Sequence, residues 1–226
     1  MAIISLFSGS FCQAEEIVRG VAVRTGYAHL FDDEIVRAAS ESSGVASDKL
    51  ARPLSAKASV FNSFTGERER SIAHLRCAVA RRLLDDGLIV DGFCSQLIPR
   101  SISHVLRVCL IADMAARIDR AVSSEDRNAK DAAKLIRRQD EQRASWVLAV
   151  TGQNDPWNPS LYDVLIPTDK TTPGDAIALI EDSIAKDVVQ PTPASRQAAE
   201  DFVVASRTQL KLAERGHYVG VECEAG

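Results

Sequence analysis

The sequence is short of most features that announce a compartment or a class of partner. Its five cysteines, Cys12, Cys77, Cys94, Cys109 and Cys223, are scattered, odd in number and never arranged as C-x-x-C. That spacing excludes a disulfide framework or a zinc ribbon and predicts reduced thiols in a cytosol. There is no basic excess: 27 Lys and Arg face 31 Asp and Glu, a net charge of -4, where a general nucleic-acid binder would be basic. No apolar run approaches the roughly 18 residues of a membrane span. The short apolar start carries no basic flank, so no secretory leader is expected and the location is read as cytoplasmic. His29, His74, His104 and His217 stand apart from one another, and no metal site is expected.

What remains is ordinary globular material, 46% hydrophobic and 26% charged, enough for one good-sized domain with a small appendage. Its organising stretch comes first. Ala2-Ile3-Ile4-Ser5-Leu6-Phe7 reads as a buried strand, Ser8-Gly9-Ser10-Phe11-Cys12-Gln13 as a turn, and Ala14, Ile17, Val18, Val21 and Ala22 as the apolar stripe of a helix. A strand, a Gly-rich turn and a helix start form the layout in which backbone N–H groups cradle phosphate. The phosphate-loop spacing is G-x-x-x-x-G-K-[ST]. From Gly9 this chain keeps the frame but places Ala14 at the second glycine and Glu15 and Glu16 at the lysine and hydroxyl positions.

Further on, strands are expected at residues 27–31, 88–90, 105–111 and 162–166, and helices from Asp32, over 66–87, 114–122, 128–148 and 173–185. Residues 40–65 read as short helices and loops, and 123–126 as a turn. Strands alternating with helices predict an α/β fold with a mostly parallel sheet. Ligands bind beyond the carboxyl ends of such strands, here residues 8–13, 91–92 and 112–113. Asp91 there is either a magnesium-side carboxylate or a plain turn residue before Gly92. Asp32 and Asp33 either touch a base edge or simply begin their helix. Domains are set at 1–187, a linker at 188–193, and a helix–strand extension at 194–226, its strand over 217–223 lacking an evident partner. The extension offers itself to a second copy of the chain or to a regulatory protein.

Leu135-Ile136-Arg137-Arg138-Gln139-Asp140-Glu141-Gln142-Arg143-Ala144 carries the D-x-x-R-A core of the lid in cytidylate-kinase-like proteins. Asp155-Pro156-Trp157-Asn158-Pro159-Ser160-Leu161-Tyr162-Asp163-Val164-Leu165-Ile166 resembles that family's W-x-[DN]-P-x-x-Y-D-[LV]-x-I segment. Asp32-Asp33-Glu34-Ile35 matches its D-x-E-[IL] element. The order of these segments is similar to the family from about residue 1 to 184, and the tail is faintly similar to the start of a BON module. The resemblance implies a three-layer P-loop kinase-like fold with a helical lid. It implies ATP at residues 8–16, a nucleoside monophosphate near Asp32, Asp33, Asp91 and Gly92, and Mg²⁺ between phosphates. Arg117, Arg137, Arg138 and Arg143 would then close over the transferring phosphoryl, with Asp140 pairing along its helix to Arg143.

Glu15 exchanges attraction for repulsion where the loop lysine would meet phosphates, although acidic residues also stabilise a first helical turn. The lid arginines have a plain alternative as the solvated face of a helix. Cys12, near a helix start, is either reactive or merely small and apolar. Two functional classes follow: a degenerate kinase fold kept for nucleotide sensing or partner binding, with no cofactor, or an active ATP- and Mg²⁺-dependent CMP kinase.

Overall fold

The computed structural model describes residues 1–55, 66–125 and 128–224. Strands β1 (Ile3–Ser8), β2 (Ala28–Phe31), β3 (Leu88–Asp91), β4 (Val105–Ile111) and β5 (Val164–Pro167) form one sheet in the order β2-β3-β1-β4-β5. Every pairing is parallel, with Ile4 opposite Ile89 and Leu106, and Val108 opposite Val164. Eight α-helices cover it among the described residues: α1 (Ala14–Thr25), α2 (Asp32–Ser43), α3 (Ser47–Ser55), α4 (Glu67–Arg82), α5 (Met114–Glu125), α6 (Ala129–Thr151), α7 (Pro173–Ile184) and α8 (Pro193–Glu214). The three-layer α/β architecture expected from the alternation is therefore present, and the sheet is parallel throughout.

The sheet is apolar on both faces because helices cover both. Alternate residues of β1 divide between two cores, as a period of two requires. Ile3 and Phe7 join Leu75, Val79, Trp146 and Phe202 on one face, while Ile4 and Leu6 join Ile17, Val21, Ile177 and Ile180 on the other. A third cluster, Ala121, Ala132 and Ile136, holds α5 against α6 and has Phe11 of the first turn packed into it. The chain leaves β1 to build β2 and β3 on one side, then crosses to β4 and β5 on the other. The order thus reverses at β1, and the turn after β1 lies at the switch point.

Element ends depart from expectation where side chains intervene. Strand β5 starts two residues late, because Tyr162 and Asp163 are engaged as anchors. The Tyr162 hydroxyl donates to the Pro156 carbonyl (2.5 Å), and Asp163 Oδ2 accepts from the Arg107 N–H (2.8 Å). Helix α4 stops at Arg82, and Gly87, with φ of 68°, makes the left-handed turn into β3. Helix α5 runs on through Ser123 and Ser124, which were expected to turn. The expected segment at 56–65 and Asp126 lie outside the described residues.

The strand expected over 217–223 does not form: residues 217–224 are irregular. Helix α8 packs along α4, so it delivers the tail onto a helical layer and away from a sheet edge. There Gln209 Nε2 donates to the Val219 carbonyl (3.2 Å), and Tyr218 packs on Gly66, where a Cβ would lie 1.8 Å from its hydroxyl oxygen. Ala199, Phe202 and Val203 of α8 share one core with Leu75 and Leu83. Truncating Phe202 to Ala should cost about 3–5 kcal/mol in a single cooperative urea transition; a transition that leaves the sheet domain's unfolding unchanged would mark α8 as a separate unit.

Candidate functional site

The turn after β1 is held by its carbonyls. Arg143 Nε donates to the Ser8 carbonyl (2.7 Å), Arg117 Nε to the Ser10 carbonyl (2.8 Å) and Arg120 Nη1 to the Phe11 carbonyl (3.1 Å). Three guanidiniums from two helices thus grip three carbonyls within residues 8–11. Arg117 is only 3% exposed, and its other two nitrogens meet Asp140 in a bidentate pair at 2.8 and 2.7 Å. Arg120 reaches on to Thr168, donating to its carbonyl (2.6 Å) and its hydroxyl (3.2 Å). Phe11 (φ 60°) and Gln13 (φ 58°) both adopt left-handed conformations that side chains disfavour. Gly9 fits because a Cβ there would lie 2.9 Å from Ile111 and 3.0 Å from the Cys12 sulfur.

Beside the turn lies a cleft of about 740 Å³, lined by residues 8–15 with Asp119, Arg120, Ser123, Ser124 and Arg143. Its volume is in the range of small-molecule sites. Glu15 stands exposed on its rim, and Glu16 is exposed beside it. Gln13 gives α1 no side-chain cap, so the first-turn N–H groups keep their usual orphan status. The Ser10 hydroxyl and Gln139 Oε1 are buried without a hydrogen-bond partner. Burial pushes the Cys12 thiol up, against the opposing pull of Arg117, Arg120 and Arg143.

Of the residues singled out from sequence, Arg117, Asp140 and Arg143 come together with residues 8–13. The pairing differs from the one expected. Asp140 engages Arg117, twenty-three positions away, whereas Arg143 donates to the Gln139 and Ser8 carbonyls and lies over Phe93, 5.6 Å from its ring centroid. Arg137 and Arg138 are exposed on α6 and make no ion pair among the described residues. Asp91 faces His29 Nε2 (3.2 Å), and Asp33 is exposed at the start of α2.

Asp32 is a latch. Its two carboxylate oxygens accept from the Phe93 and Cys94 N–H groups, both at 2.8 Å, capping the short 3-10 turn Phe93–Leu97. Gly92 (φ 110°) leaves it room, since a Cβ would lie 2.3 Å from Oδ2. Burial raises the Asp32 pKa to about 6, against the lowering effect of those two N–H bonds. Phe93, so fixed, accepts the Trp146 indole N–H on its carbonyl (2.7 Å). Sequence reasoning missed the grip of Arg120 on Phe11 and Thr168, for which no local spacing gives a signal.

The profile of the cytidylate kinase-like family matches residues 3–170. No curated protein matches the chain. Among solved structures, an uncharacterized protein from Eubacterium ventriosum ATCC 27560 is similar at a TM-score of 0.59 and 10% identity, over 82% of this chain and 99% of that one. A shikimate kinase from Acinetobacter baumannii in complex with shikimate aligns at a TM-score of 0.44 and 13% identity, over 84% and 96% of the two chains.

Two outcomes test this geometry. Asp140→Ala strands a buried guanidinium and should destabilise the chain by about 3–5 kcal/mol in chemical denaturation. Asp32 titrates higher in the folded chain than unfolded, so the native state binds the extra proton and stability should fall as pH rises from about 4 to about 6. That downward slope should vanish in Asp32→Asn; an unchanged slope would remove Asp32 as its source.

Proposed function

The chain belongs to the cytidylate kinase-like family, and from that membership we propose that it is a kinase-like protein with a degenerate phosphate-binding loop. Its role is then nucleotide sensing or partner binding, with weak or no catalysis. The observation that carries this reading is the state of Arg117. A kinase of this fold needs free positive charge around the transferring phosphoryl. Here the most buried arginine at the loop is already neutralised by Asp140 and spends its third donor on a loop carbonyl.

The family implies ATP and Mg²⁺, and the residues present fit a triphosphate poorly. The Ser10 hydroxyl, buried and unpartnered, suits a phosphate oxygen. Against it, Glu15 puts a carboxylate on the cleft rim where a cation would be wanted, and Asp119 adds a second on the opposite wall. Arg120 and Arg143 border the cleft, yet each is committed to a loop carbonyl. No phosphoryl-transfer step is derived on this set.

The competing reading is an active kinase passing the γ-phosphoryl of ATP to CMP, and it is favoured by the Ser10 hydroxyl and by two arginines on the cleft wall. Calorimetric titration separates the two. Mg-ATP followed by CMP should give weak or no heat with the natural chain, and Ala14→Gly with Glu15→Lys should strengthen ATP binding at least tenfold. Tight ATP binding by the unaltered chain, with ADP formed only when CMP is present, would overturn the proposal.

A further inference from the structure

Away from the loop, Arg76 on α4 is a half-buried cation. Its Nη1 donates to Gln209 Oε1 (3.2 Å), and its guanidinium carbon sits 5.6 Å from the centroid of the Phe202 ring. It makes no ion pair among the described residues, and its Nε is buried with no hydrogen-bond partner. One helix away, Ser206 of α8 is 1% exposed, and its hydroxyl is also without a partner. Both residues line a single cleft of about 660 Å³ between α4, α8 and tail residues 220–224. Burial depresses the Arg76 pKa, so its charge is carried at a cost.

Two unpartnered donors, on residues that line one cleft, define what would complete them. A guanidinium that has no ion pair among the described residues is the side chain suited to a carboxylate or phosphate. Phe202, Ala198 and Ala205 supply an apolar wall beside it, and the volume suits a molecule larger than a bare ion. We propose that the α4–α8 cleft is a second ligand site for a small organic oxyanion, a carboxylate or phosphate borne on a flat apolar body. Arg76 grips the oxyanion and the Ser206 hydroxyl donates as well. Asp201 of α8 and Glu222 and Glu224 of the tail line the same cleft. They set a negative rim that a ligand must pass, and the tail is a strap, tied down through Gln209 and Val219.

Benzoate, phenyl phosphate and inorganic phosphate, titrated calorimetrically into the full chain, test the site. At least one ring-bearing probe should bind saturably, and more tightly than inorganic phosphate. Arg76→Gln should weaken it at least tenfold, and Ser206→Ala a few-fold. Arg76→Lys, which keeps the charge without the fork, should restore only part of the affinity and guards against a folding defect in Arg76→Gln. Glu222→Gln with Glu224→Gln should bind more tightly. The site is refuted if no probe binds, if inorganic phosphate binds as well as the ring-bearing probes, or if Glu15→Lys at the loop raises the affinity, which would put the probe there. It is equally refuted if the double tail variant lowers the melting temperature, since the tail carboxylates would then be the partner of Arg76.

Discussion

The buried pair between Arg117 and Asp140 is the contact on which the geometry of the first loop depends. Two opposite charges out of water give little net stability, because desolvation offsets their attraction. What the pair supplies is direction. With both Nη atoms fixed on one carboxylate, the Nε–H of Arg117 has a single bearing, and the Ser10 carbonyl lies on it at 2.8 Å. The loop needs such restraint. Left-handed backbone at Phe11 and Gln13 costs on the order of 1–3 kcal/mol apiece. Hydrogen bonds from charged donors, each worth about 1.5–3 kcal/mol, reach the carbonyls of Ser8, Ser10 and Phe11, and Phe11, like Met114 and Ile118, packs against the cluster of Ala121, Ala132 and Ile136. The strain is therefore met locally, by the two helices that the family reading calls a lid.

That arrangement couples the lid to the sheet by more than one route. Arg143 ties α6 to the end of β1, Trp146 ties it to Phe93, and Asp32 fixes Phe93 from the start of α2. Any swing of α6 away from the loop must break a charge-assisted bond and an indole bond together. Opening of α5 must also break the Arg117 pair and the Arg120 bonds to Thr168. The two helices are thus tied to the loop and the sheet at several points at once.

Much of the fold was legible because its signals are local. Apolar runs such as Ile3-Ile4 and Val105-Leu106, with Gly26 and Gly87 at turns, mark strands and stops wherever they occur, and β1, β3 and β4 lie where those runs are. The site was legible only in part. The sequence brings Arg117, Asp140 and Arg143 into consideration, but helical spacing pairs Asp140 with Arg143, since i and i+3 are the only neighbours that a linear reading knows. Its real partner comes from another helix. The tail was misread for the same reason: Tyr218-Val219 and Val221 have strand propensity, yet a strand needs a free edge, and α8 carries them to a helical layer instead. Arg76 carried no signal at all, because an unpaired cation is visible only once its surroundings are known.

The residues that match the family pattern and those that depart from it do different physical jobs. Tyr162 and Asp163 anchor β5 to β4 through the Pro156 carbonyl and the Arg107 backbone, and Trp157 packs its ring on Phe7 of β1, 5.8 Å between centroids. Each can be kept for folding alone, whatever the chain does. The departures fall at Ala14, Glu15 and Glu16: Ala14 packs against the core around Ile17 and Val21, while Glu15 and Glu16 are exposed and belong to neither core. A lysine at position 15 would cost the fold little, so packing does not explain why a carboxylate stands there. Fold and ligand chemistry are therefore carried by different residues of this chain: Tyr162 and Asp163 anchor the sheet, whereas Glu15 lines the cleft beside Asp119, Arg120 and Arg143.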